Sequence, residues 1–380
     1  MTRTPRPLLR WLVAPLVAAA LVASYAVLPT LAGADAPPAL APITARDLVA
    51  KVSQASVPGL SGTITSTPHL GLPDLSSVVG DKGSFLTSLL TGAHTMRVWQ
   101  AGGNVRLALP SSLAEDDVVR SGSDVWVWQS NGQQASHLAL KGEASGAPDQ
   151  ASKSAPPEVA PTPQSLADHF LASVDPTTRV SVRDTVMVAG QPAYELVLAP
   201  KSSNTLVADV VIAVDSATGL PLRVQVLSRD SGTPAIDLGF SSVDFSVPAA
   251  STFAFTPPPG AKVTEAQSPI DLLLPGTHTG SQAKPQGGAQ GPAPAAPSAE
   301  AKPQVVGSGW ESVAIVDLGA TGNNNANLAA ITRFGSPVQG SWGSGRLVRT
   351  SLVNLLLTDH NTLLVGSVPE AALEAAAAGH

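Results

Sequence analysis

The sequence contains no cysteine among its 380 residues. That excludes disulfide bonds, thiol catalysis, Cys-ligated metals and a lipid-bearing cysteine near the N-terminus. Charge is also scarce. Only 13% of residues are Asp, Glu, Lys or Arg, against 43% hydrophobic, so a sizeable core can be buried. The net charge is −6, whereas a general nucleic-acid surface would need clustered Lys and Arg. Enzyme motifs are missing too. There is no H-E-x-x-H, no G-x-S-x-G elbow and no Walker A loop, since Gly80-Asp-Lys-Gly-Ser84 lacks the spacing. The seven histidines are scattered, and Asp359-His360 reads as a turn pair. Glu115-Asp116-Asp117 are adjacent and cannot all face one point, so they read as a solvated loop before a strand. No catalytic residue, metal site or cofactor is expected, and no nucleic-acid partner.

Proline (34) and glycine (33) are abundant and clustered, which suggests loops and linkers around β-rich domains. The N-terminus reads as an address. Arg3, Arg6 and Arg10 precede an apolar run from Trp11 to Ala32, and Leu31-Ala32-Gly33-Ala34 offers small residues for cleavage. Residues 1–34 are therefore a signal peptide or an N-terminal membrane anchor. Either way, the positive-inside rule puts the rest outside the cytoplasm. Residues 35–42 form an extended spacer.

A helix should follow. Thr44 is a good N-cap, Asp47 completes a capping box, Ile43 and Leu48 form a staple, and Leu48, Val52 and Ala55 share a face. Pro58-Gly59 should end it. From Leu60 the pattern is mostly strand. Residues 70–92 look inserted, with a short helix around Phe85–Leu90. Thr95–Gln100 and Val105–Leu109 form a hairpin across Ala-Gly-Gly-Asn. Val118–Arg120, Asp124–Ser130 and Gln134–Leu140 form a meander, with a type I′ turn at Asn131-Gly132. Residues 141–161 lack periodicity and read as a loop. Thr162-Pro163 opens a second helix with a Leu166, Phe170, Val174 stripe. Six further strands follow between Arg179 and Thr256. Residues 269–304 are a Pro/Gly/Ala-rich linker. Residues 305–380 should form a small C-terminal α/β domain, with strands at Gly309–Leu318, Arg346–Leu357 and Thr362–Gly366 and a helix from Pro369 to Ala378.

Three passages carry a resemblance. They are Val118-Val-Arg-Ser-Gly-Ser-Asp-Val-Trp-Val-Trp-Gln129, the apolar hairpin from Val207 to Val224 around an Asp turn, and Phe253-Ala-Phe-Thr-Pro-Pro-Pro-Gly-Ala-Lys-Val-Thr-Glu265. In this order they resemble the LolA/LolB-like lipoprotein-carrier superfamily, over residues 43–268. The resemblance implies an α+β, mainly β fold: an incomplete antiparallel β-barrel with helices on its concave face. It also implies a non-enzymatic carrier of lipid or lipoprotein acyl chains. The family's lid-latching Arg-Pro pair is replaced here by Ala101-Gly-Gly-Asn104. Sensor relatives that regulate anti-sigma factors join the same half-barrel to a smaller C-terminal domain. Their kind of role, through a membrane-protein partner, is the alternative. The ligand-cavity candidates are Trp99, Trp126, Trp128, Tyr194, Leu196 and Phe240. Phe253 and Phe255 share a face, and Pro257-Pro-Pro259 should end the sheet.

Overall fold

The computed structural model describes residues 39–71, 92–110, 114–140, 162–266, 304–318 and 333–379. The N-terminal address, the expected helix near Phe85, the loop 141–161 and the linker from 269 to 303 lie outside these residues. Among the described residues, no helix is long and apolar enough to cross a membrane.

Helix α1 (Ala45–Ser53) starts where capping chemistry dictates. The Thr44 side chain accepts a hydrogen bond from the Asp47 N–H at 3.2 Å, and its hydroxyl donates to the Asp47 carboxylate at 2.7 Å. Such caps contribute about 1 kcal/mol. Leu48 and Val52 are the buried face. The helix stops at Ser53, ahead of Pro58-Gly59. Helix α2 (Pro163–Ala172) opens on a reciprocal capping box between Thr162 and Ser165, with proline in the first turn. It ends before Val174, which is 39% exposed and does not extend the stripe of Leu166 and Phe170.

The strands fall into two meanders. The first is β1 (Gly59–Pro68), β2 (His94–Ala101), β3 (Asn104–Pro110), β4 (Glu115–Ser121), β5 (Asp124–Gln129) and β6 (Gln134–Ala139). The second is β7 (Thr178–Val188), β8 (Gln191–Pro200), β9 (Val207–Asp215), β10 (Pro221–Ser228) and β11 (Pro234–Asp244). β11 returns to pair with the free edge of β1, so the meanders fuse into one sheet. With a last strand, β12 (Lys262–Glu265), its order is β12-β6-β5-β4-β3-β2-β1-β11-β10-β9-β8-β7. β12 and β7 are unclosed edges, which makes this the incomplete barrel expected. β7 also touches β11 although three strands intervene, so that half is strongly coiled.

Several expectations need correction. Thr252–Thr256 is not a strand. Ala250–Phe253 is a short 3-10 turn, and among the described residues the chain from 254 to 258 pairs with no strand. The prolines do not end the sheet either. β12 follows them and pairs parallel with β6, from Lys262↔Gln134 to Glu265↔His137. Segment 245–261 thus crosses the sheet, because β11 is central and β6 lies at its far side. The Asn131-Gly132 turn is not type I′. The loop between the paired Gln129 and Gln134 holds four residues, and Gly132 and Gln133 carry the positive φ angles. Glu115-Asp116-Asp117 starts β4 rather than a solvated loop, and Asp117 is only 5% exposed.

A second sheet follows, of β13 (Gln304–Val306), β14 (Val313–Asp317), β15 (Ser336–Gly340), β16 (Gly343–Arg349), β17 (Asn354–Thr358) and β18 (Thr362–Gly366), in the order β13-β14-β18-β17-β16-β15. Helix α3 (Glu370–Ala378) packs Leu373 onto it. The expected strand Arg346–Leu357 is two strands. Between them, the Thr350 hydroxyl accepts from the N–H groups of Leu352 and Val353 and donates to the Val353 carbonyl, which turns the chain. Gly309–Glu311 is likewise a 3-10 turn, and β14 begins only at Val313.

Candidate ligand-binding site

The large sheet presents two faces. Alternation places Leu196 and Leu198 of β8, Ile212 of β9 and Val224 and Val226 of β10 on the face covered by the helices. α1 and α2 supply Leu48, Val52 and Ala167 to the same cluster. The face continues across β11, β1 and β2 through Phe240, Leu60 and Val98. At the seam between the chain leaving α1, the start of α2 and these strands lies a cavity of about 310 Å³. Its apolar lining is Leu60, Val98, Leu220 and Phe240, each less than 9% exposed, with Val57. Ser56, Gln100, Thr162 and Gln164 supply its polar groups. Among the described residues that line it, none is charged. Ligand pockets span about 300–1,000 Å³, so this one suits a single slender apolar group with an uncharged polar end.

The helical cover is tied down from two sides. The Tyr194 hydroxyl donates to the Ala41 carbonyl at 2.8 Å, fixing the approach to α1. The small sheet supplies the second tie. Trp310 stacks on Phe170 of α2 with ring centroids 6.4 Å apart, and its indole N–H donates to the Thr178 hydroxyl at 2.8 Å. Leu352, from the turn between β16 and β17, is 6% exposed and joins the cluster beneath the helices. Ser351 donates from its N–H to the Leu70 carbonyl and from its hydroxyl to the His69 carbonyl, both at 2.9 Å. The Ser367 carbonyl accepts from the Leu206 N–H and the Thr205 hydroxyl, both at 2.8 Å.

The opposite face carries the tryptophans. The register aligns Trp99, Arg106, Val119, Trp126, His137 and Glu265 in one row across β2 to β6 and β12. Segment 245–261 lies over this row. Phe253, 2% exposed, packs on β3 and β4, and Phe255 sits 5.5 Å from Trp126 and 6.3 Å from Trp128. The chain itself supplies the second layer here. Arg106 pairs with Asp117 at 2.7 Å and lies over the Trp99 ring at 5.8 Å. His137 stacks on Trp126 at 4.2 Å and is held at 2.9 Å by both Asp124 and Glu265. Burial pulls the His137 pKa down, but the two carboxylates outweigh it and raise the value above that of an ordinary histidine.

The six cavity candidates therefore separate. Phe240 lines the cavity. Leu196, fully buried, and Tyr194 belong to the cluster under α1 and α2. Trp99, Trp126 and Trp128 lie on the far face, away from the cavity. Leu60, Val98 and Leu220 were missed. Leu60 and Val98 are single apolar positions within strands, Leu220 ends the turn before β10, and nothing local marks any of them as a cavity wall.

These features define a class by architecture: an open antiparallel half-barrel, a two-helix cover over an apolar seam, and a small sheet latched to that cover. No protein-family model matches the sequence, and no curated protein is significantly similar to it. Solved structures are similar at low identity. The complex of MucA and MucB from Pseudomonas aeruginosa aligns over 88% of this chain and 96% of that one, with 16% identity and a TM-score of 0.41. An uncharacterized conserved protein from Thermus thermophilus aligns over 58% of this chain and 99% of that one, with 14% identity and a TM-score of 0.33. A LolA superfamily protein from Nitrosomonas europaea aligns over 56% and 99%, with 11% identity and a TM-score of 0.23.

Proposed function

We propose that this protein is a non-enzymatic carrier that works outside the cytoplasm and holds an acyl chain of a lipid or lipoprotein. The observation that carries this reading is the uncharged cavity of about 310 Å³ under the helical cover. Each buried methylene contributes roughly 0.8 kcal/mol, so about eight would contribute about 6 kcal/mol. Before ordering costs, that corresponds to a dissociation constant of tens of micromolar. Release would require the cover to move, since Thr162 and Gln164 open α2 at the rim. Native mass spectrometry of protein purified from its own envelope should show bound acyl species, and a fluorescent fatty acid should be displaced by them. An empty protein that binds no fluorescent fatty acid would refute the carrier reading.

A second reading is a sensor or regulatory module that acts through a membrane-protein partner. It is favoured by the latch of Trp310 and Leu352 on the helical cover, which joins the small sheet to the helices that border the cavity. Partner capture by the full chain and by a Trp310→Ala, Leu352→Ala double variant tests it. Equal capture by both would remove the coupling on which this reading rests.

A further inference from the structure

A second recess of about 290 Å³ lies on the face opposite the helices, over β11, β1 and β2. Its floor is two rows of the register. One runs Asp244–Ser61–Trp99 and the other Ser242–Thr63–Arg97. We propose that this recess binds an acetamido sugar.

The argument starts from Trp99. Arg106 stands on the β3 side of its ring, whereas the recess lies over β1 and β11. Arg106 is itself fixed, by Asp117 at 2.7 Å and by the Thr252 carbonyl at 3.4 Å. Trp99 is therefore an aromatic plate braced on one side and open on the other. A pyranose ring offers a face of C–H groups that stacks on such a plate. Around the plate stand polar groups left to a ligand. Arg97 is exposed, and neither it nor the Trp99 indole N–H has a partner among the described residues. The hydroxyls of Ser61, Thr63 and Ser242 are also unpaired among them.

Asp244 supplies the acceptor. Its Oδ1 accepts from the Ser246 N–H at 2.9 Å, which holds its pKa below the ordinary value, so it stands exposed and ionised at neutral pH at the end of the Ser61–Trp99 row. An acetamido group matches this set on both sides. Its carbonyl suits the guanidinium and the indole N–H, its N–H suits the carboxylate, and the ring hydroxyls suit the serines and the threonine. An acyl chain would meet a floor of hydroxyls here and leave them unsatisfied. Among the described residues, a polyanion would meet a single arginine, Arg97, beside the Asp244 carboxylate.

The site does not depend on the cavity under the helices, so the two stand or fall separately. The test uses the full chain, with N-acetylglucosamine and its β-1,4-linked dimer as probes, read by isothermal titration and saturation-transfer NMR. Saturable binding is expected. Trp99→Ala should weaken it about tenfold. Arg97→Ala, at an exposed position, should weaken it about fivefold without affecting folding. Ser56→Trp, which narrows the opposite cavity, should leave it unchanged. Absence of saturable binding would overturn the proposal. So would binding that survives both Trp99→Ala and Arg97→Ala, or equal binding of glucose.

Discussion

Leu352 offers the sharpest perturbation of the coupling between the two sheets. It leaves the small sheet on a turn held by Thr350, and its side chain enters the cluster formed by Leu48, Val52, Ala167 and Leu196. Leu352→Ala removes about three methylene equivalents from a site only 6% exposed, worth about 2.4 kcal/mol of transfer free energy. The cavity left behind adds to this, and relaxation along a seam subtracts, so a loss of about 2–3 kcal/mol is expected. Urea unfolding at constant m-value would measure it. Hydrogen exchange should locate it, with faster exchange in α1 and α2 as well as in the turn. Leu373→Ala is the control. It empties a site in the core of the small sheet and should speed exchange there while sparing α1. A loss below about 0.5 kcal/mol with unchanged exchange in α1 would refute the latch, since such values are ordinary for surface substitutions.

Three other outcomes follow from local chemistry. Thr162→Ala removes one partner of the capping box and should cost about 1 kcal/mol, read as a lower urea midpoint. Gly219→Ala should cost on the order of 2 kcal/mol, because Gly219 has φ +79° and an added Cβ would come within 2.7 Å of the Lys51 carbonyl at the end of α1. The His137 clamp makes β12 pH-sensitive. A neutral imidazole can donate to only one of Asp124 and Glu265, and Trp126 covers the ring. Because the folded pKa is raised, the stabilisation is complete below the unfolded value of about 6.5 and is lost as pH rises through the folded value. Amides of Lys262–Glu265 should lose protection as the pH rises above about 6.5, and His137→Gln should abolish that change.

Much of the fold was legible because its signals are local. Thr44 with Asp47 and Thr162 with Pro163 announce the two helices, and alternating runs between glycine-bearing turns announce the meanders. What was not legible depends on distant partners. Alternation shows that Trp126 and Trp128 share a face, but not which face the helices cover. The prolines at 257–259 read as an end to the sheet, yet Lys262–Glu265 finds a parallel partner more than a hundred residues upstream. Leu352 sits in an apolar run that reads as one continuous strand, and only the Thr350 hydrogen bonds show that it turns aside. Asp117 looked solvated beside its acidic neighbours, because its partner Arg106 lies on the adjacent strand.

The central claim is that the cavity at the helix–sheet seam holds an acyl chain. Ser56 lines that cavity and is exposed, so Ser56→Trp can fill its entrance without disturbing the core. The direct measurement is titration of a fluorescent fatty acid into the parent protein and this variant, with their unfolding midpoints compared. One-to-one binding that the variant loses at unchanged stability is the predicted result. No binding by the parent protein, or equal binding by both, would contradict the account.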